Sequence, residues 1–202
     1  MKYLEFREAL KSFTLFSIRE IKKVDNHFHR RRLNDWQEKG YIKKIIRGYY
    51  IFSDLELNEN VLFEIANKIF NPSYVSLEMA LSYYRLIPES VYVVTSVSSR
   101  KPYKYATPIG EFTYRKIKPG LFFGHDLLDY ADKRFKIATI EKAVLDYFYL
   151  NPYISEFGSL RINAESFWEQ INEDKLFTFL EKISQKRLDR TINQFWKFMK
   201  NV

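Results

Sequence analysis

The sequence predicts an α+β protein. An N-terminal winged helix-turn-helix covers residues 1–55, and a mixed α/β C-terminal domain with a helical tail covers residues 60–202. Three observations carry this. Helical segments precede a β-rich hairpin near the start of the chain. Further on, strands come before helices in blocks rather than alternating with them. Most of the net charge also sits in the first quarter of the chain.

Residues 2–11 place Tyr3, Leu4, Phe6, Ala9 and Leu10 at helical spacing. Ser17 with Glu20 three residues on forms a capping box for a helix over 18–24. Asp25 or Asn26 can cap a third helix that runs to about Lys39 and stops at Gly40. Two β-prone runs follow, 41–46 and 49–52, around Arg47-Gly48.

The third helix can be tested by angle. At about 100° per residue from Phe28, Trp36 and Leu33 fall near 80° and 140° and mark the buried face. His27, Arg30, Arg31 and Asn34 fall between about 200° and 300°, facing away from it. These side chains reach phosphates and base edges in a major groove. Lys43, Lys44 and Arg47 decorate the wing and reach backbone phosphate. By the same angles Arg32 snorkels or pairs with a carboxylate, and His29 lies at the core edge.

Charge agrees with this. The chain has 33 Lys and Arg against 25 Asp and Glu, a net +8, and residues 1–55 carry +6 of it. Concentrated cations gain affinity for a polyanion by releasing its counterions, so duplex DNA is the expected partner. A solvated basic face is the plainer alternative.

Asp54–Asn60 reads as a linker. Helices are expected over 61–70, ended by Asn71-Pro72, and from Ser76 to Tyr84. Strands are expected near 91–95, 103–106, 111–117, 121–123 and 135–138. Thr139 caps a helix over 140–150 with Ile140, Ala143, Val144, Tyr147 and Phe148 on one side. Helices near 165–171, 174–184 and 187–199 form the tail, whose many aromatic side chains suit either core or a partner surface.

Composition removes several classes. A hydrophobic fraction of 46% and six Gly and six Pro exclude a disordered or collagen-like chain. The absence of Cys removes disulfides, thiolate zinc sites and Cys nucleophiles. No apolar run approaches the ~20 residues of a membrane span, and Met1–Glu5 has no signal-peptide core. A soluble, cytoplasmic protein without a membrane partner is expected.

The catalytic search is negative. No Gly-rich phosphate loop, GxSxG elbow or HExxH pattern occurs. His27 and His29 diverge if helical, so no metal is expected. Glu141 and Asp146 point about 140° apart on one helix, which argues against a shared metal. His125-Asp126 beside Arg115 is a possible polar cluster. Arg100, Lys101, Lys104, Arg115, Lys116 and Lys118 form a basic β-region, which suits either a second nucleic-acid surface or charged edge strands. Neither a catalytic residue nor a cofactor is expected.

Three stretches in order remain: Gly40-Tyr41-Ile42 through Arg47-Gly48-Tyr49-Tyr50, then Tyr74 through Pro88 (YVSLEMALSYYRLIP), then Ile137 through Asp146 (IATIEKAVLD). Together they resemble the AbiEi family of abortive-infection antitoxins, from type IV toxin–antitoxin systems. The likeness runs from about residue 10 to 150. It implies a winged helix that binds operator DNA and represses its own operon. It also implies a C-terminal domain that counteracts a nucleotidyltransferase-like toxin, with no active site of its own. The second stretch often reads His-Gly before its Leu in that family. Tyr84-Arg85 stand there in this chain, so no glycine-dependent turn is demanded. A winged-helix regulator with a ligand- or protein-sensing C-terminal domain and no toxin partner is the alternative.

Overall fold

The structure, a computed structural model, describes residues 1–88 and 91–202. It is a mixed α+β fold. The N-terminal part runs α1 (Tyr3–Leu10), β1 (Phe16–Ser17), α2 (Ile18–Val24), α3 (Arg31–Glu38), β2 (Ile42–Ile46) and β3 (Tyr49–Phe52). The strands form one antiparallel sheet in the order β1-β3-β2. The α2 capping box is present. Ser17 Oγ accepts from Arg19 N at 3.1 Å, and the Ser17 N–H donates to Glu20 Oε2 at 2.8 Å.

The third helix starts later than its sequence predicts. Asp25 caps a turn instead of a helix: its carboxylate accepts from His27 N at 3.0 Å and its carbonyl from Phe28 N at 3.1 Å. Such side-chain turns compete with helix initiation, so residues 27–30 precede α3. Its end is as expected. Gly40, at φ +70°, closes it, with Tyr41 N donating to Trp36 O and Gly40 N to Gln37 O, both at 2.9 Å. This is a Schellman turn, which needs a left-handed residue.

The rest of the chain runs α4 (Glu59–Ile69), β4 (Tyr74–Val75), α5 (Leu77–Tyr83), β5 (Val93–Ser98), β6 (Tyr103–Thr107), β7 (Gly110–Lys116), β8 (His125–Tyr130), β9 (Lys133–Ala138), α6 (Ile140–Leu150), α7 (Ala164–Gln170), α8 (Glu173–Ile183) and α9 (Lys186–Met199). Its strands form a six-stranded sheet in the order β6-β7-β5-β4-β9-β8. β5–β7 and β4–β9 are parallel, and the other pairs are antiparallel. The strand expected at 121–123 is absent; a short 3-10 turn covers Pro119–Leu121. β8 was unforeseen, because His125, Asp126 and Asp129 make its sequence polar. As an edge strand it leaves Asp126 and Asp129 in water.

Two apolar clusters build the interior. Phe6, Leu10, Phe16, Ile21, Phe28, Leu33, Trp36, Ile42 and Phe52 form the smaller, N-terminal one. The larger surrounds the six-stranded sheet and α6, and it also takes in Leu15, Ile45 and Ile51. Alternation along a strand explains this. Ile42 and its partner Phe52 face the small cluster, whereas Lys43's partner Ile51 faces the large one. The three-stranded sheet is therefore shared. Residues 54–60 are not a free tether either. Arg7 Nη1 donates to Asp54 at 2.7 Å, Leu55 packs on the large cluster, and Asn58 caps α4.

A buried carboxylate adds a polar tie. Glu64 of α4 accepts from Thr14 Oγ1 at 2.6 Å and from the Tyr130 hydroxyl, and pairs with Lys68. Burial pushes its carboxyl up, but the hydrogen bonds from Lys68, Thr14 and Tyr130 outweigh that and hold it below the usual range.

The tail is mainly core. Phe167, Phe195 and Trp196 are buried with Phe148 of α6, whereas Trp168 is 39% exposed. α6 spans the predicted residues, with Thr139 accepting from Lys142 N. It is not one-sided, however, because Glu141, Lys142 and Asp146 are as buried as its apolar residues.

Candidate nucleic-acid interface

α3 and the β2–β3 hairpin face each other across a cleft of about 330 Å³. Arg30 and Arg31 sit at the start of α3 and Asn34 one turn on. Lys44 comes from β2 and Arg47 from the hairpin turn, and all five line the cleft. Ile18, Leu33 and Tyr50 supply its apolar floor. All five polar side chains are exposed. None pairs with a carboxylate among the described residues, so their donors stay available to a phosphate.

Position follows from the local fold. Leu33 and Trp36 anchor α3 in the small cluster, which turns Arg30, Arg31 and Asn34 outward. Lys44 pairs across the hairpin with Tyr50, on the same sheet face as Ile42. A β-bulge between Lys44 and Ile46 bends the strand just before the turn. Gly48, at φ +87°, makes the turn after Arg47.

Two of the seven predicted residues do not share the cleft. His27 is exposed but lies in the turn before α3, so the helical angle assigned to it does not apply. Lys43 pairs with Ile51 and projects from the opposite sheet face. Two neighbours also differ from expectation. His29 is exposed rather than at the core edge, because it too precedes the helix. Arg32 donates to the Met1 carbonyl and pairs with no carboxylate among the described residues. Ile18 and Tyr50 were missed, since nothing local marks an apolar residue as the floor of a charged cleft.

The basic β-region is largely engaged. The Arg100 guanidinium lies 4.7 Å from the Phe70 ring centre and donates to Asn71 O. Lys104 pairs with Glu111 at 2.7 Å. Arg115 donates to Asn151 Oδ1 and Leu150 O at the end of α6. Lys101, Lys116 and Lys118 remain exposed. Arg115 is not beside His125-Asp126, because β5, β4 and β9 separate their strands.

Asp146 belongs to a buried polar network that excludes Glu141. Lys142 Nζ pairs with Asp146 one turn on and donates to Tyr74 Oη at 2.9 Å. Asp146 Oδ2 accepts from Tyr74 Oη at 2.8 Å and Ser76 Oγ at 2.9 Å. Burial, then the Asp146 charge, raises the Tyr74 hydroxyl well above its ordinary range. Glu141 points elsewhere, accepting from Asn172 N at 3.1 Å and pairing with Lys175. His125 stacks on Tyr74 with ring centres 4.6 Å apart, and burial lowers its pKa. This buried network fastens the segment Tyr74–Ser76 to α6. No group of three metal-ligating side chains occurs among the described residues, and no helix among them is long and apolar enough to cross a membrane.

Neither the protein-family models nor the curated proteins contain a match to this chain.

Proposed function

We propose that this chain is a DNA-binding antitoxin and transcriptional autorepressor of a type IV toxin–antitoxin operon. In this reading α1–α3 and the β2–β3 hairpin form a winged helix-turn-helix. The carrying observation is the cleft in which Arg30, at the cap of α3, and Arg31 and Asn34 of α3 meet Lys44 and Arg47 of the hairpin. α3 is the recognition helix. Its Arg side chains suit guanine edges, Asn34 suits an adenine edge, and Lys44 and Arg47 grip the flanking phosphates. A cleft of unpaired cations suits a phosphodiester strand better than an uncharged protein face, which favours DNA over a protein-interaction module.

The antitoxin half rests on the ordered likeness to the AbiEi family. Its toxin would be nucleotidyltransferase-like, and the α+β half would act as a binding or regulatory body without catalytic residues of its own.

A gel-shift titration tests the DNA half. The duplex directly upstream of the gene is compared with a scrambled duplex at two salt concentrations. Preferential binding to the upstream duplex that weakens with salt is expected, whereas equal binding to both overturns autorepression. Co-expression with the neighbouring toxin gene tests the antitoxin half. Growth rescue is expected, and unrelieved toxicity overturns it.

A further inference from the structure

The α+β half holds a cavity of about 440 Å³ between α5, β5, the Tyr147 side of α6 and the 159–162 segment. That volume lies within the range of small-molecule sites, about 300–1,000 Å³. Leu81, Ile87, Val93, Leu160 and Ile162 make its walls apolar. Among the described residues lining it, Glu78 is the one that carries a charge. This carboxylate is half-buried and has no hydrogen-bond or ion-pair partner among the described residues. The buried acids Glu64, Glu141 and Asp146, by contrast, pair with Lys68, Lys175 and Lys142.

A partly desolvated carboxylate beside an apolar wall gains most from a ligand that supplies a cation and an apolar body together. We propose that this cavity binds a small hydrophobic amine, with its ammonium on Glu78 and its hydrocarbon against Leu81, Ile87 and Leu160. The first turn of α5 also favours an acidic side chain, but that explains only why an acid sits there. It makes no selection among ligands, which separates the two accounts. The cavity shares no residue with the cationic cleft, so the inference does not depend on DNA binding.

The test uses the full chain and three probes of one shape: 4-phenylbutylamine, 4-phenylbutanol and 4-phenylbutyrate. Thermal unfolding and calorimetric titration are read for each. The amine is expected to bind about tenfold tighter than the alcohol, the difference between a charge-assisted and a neutral hydrogen bond, and the acid not to bind. Glu78→Gln is expected to bring the amine down to the alcohol's affinity. Leu160→Trp, which fills the cavity, is expected to abolish binding of both while the protein still unfolds cooperatively. Absence of binding by all three probes overturns the proposal. So does equal affinity for amine and acid, or an amine preference that survives Glu78→Gln.

Discussion

Lys142 and Asp146, one helical turn apart on α6, form an ion pair at 0% and 2% side-chain exposure that is completed by Tyr74 and Ser76 from a segment some 70 residues earlier. Two of the three stretches that carry the family resemblance thus meet in one polar knot. Such a pair stabilises little against an apolar replacement but is costly to break.

Lys142→Met should therefore lose about 3–5 kcal/mol, because Asp146 is left charged and buried. The double variant Lys142→Met with Asp146→Leu should recover a large part of that loss. Urea unfolding midpoints of the three proteins check it. A double variant as weak as the single would place the value in the pair itself.

Lys43 and Lys44 are neighbours on opposite sheet faces. Lys44→Ala should flatten the slope of log binding constant against log salt by about 0.9, the share of one phosphate contact. Lys43→Ala should leave the slope unchanged. Titrations of the upstream duplex at four salt concentrations decide between them.

Arg85 closes α5 in the left-handed region at φ +57°, donating its N–H to Ser82 O while Leu86 N donates to Leu81 O, both at 2.8 Å. This is the same Schellman turn that Gly40 makes after α3. The turn that Tyr84-Arg85 did not demand forms nonetheless, on a residue with a Cβ. Arg85→Gly should stabilise by up to about 1 kcal/mol, the left-handed penalty less glycine's extra entropy. Gly40→Ala should cost about 1 kcal/mol or more. Thermal melts of both variants read the signs.

Glu64 gives a pH dependence. Its carboxyl lies below the ordinary range, so it binds fewer protons folded than unfolded. Its contribution is present in full above the unfolded value, about 4.3. It is lost as pH falls through the lowered folded value. Glu64→Gln should flatten this acid limb and leave the neutral-to-alkaline limb in place. Denaturant unfolding from pH 7 to pH 3 measures it.

Periodicity and capping made much of this fold legible. α2 and α6 match their predicted spans, because Ser17 with Glu20 and Thr139 announce their starts locally. The start of α3 was not legible, since Asp25 can cap a helix or close a turn, and here it closes a turn that seats Phe28 against Phe6 and Trp36. That choice moved His27 off the helix face. β1 and β4 are two residues each, too short for a period. Lys43 lies outside the cleft because neighbouring strand residues face opposite ways, and which of the two faces the cleft depends on pairing. The 78–162 cavity gave no sequence signal, as its walls come from four separate segments.

The two-sided hairpin sheet carries a consequence for modularity. A fragment ending at residue 55 would keep its own aromatic cluster yet bare Leu15, Ile45 and Ile51 to water. Such a piece would tend to stick to itself rather than travel as a portable unit. The cationic cleft is instead built into the larger body like the edge of a tool fixed in its handle. Its bearing on any bound partner is then set partly by the shared packing of Leu15, Ile45 and Ile51.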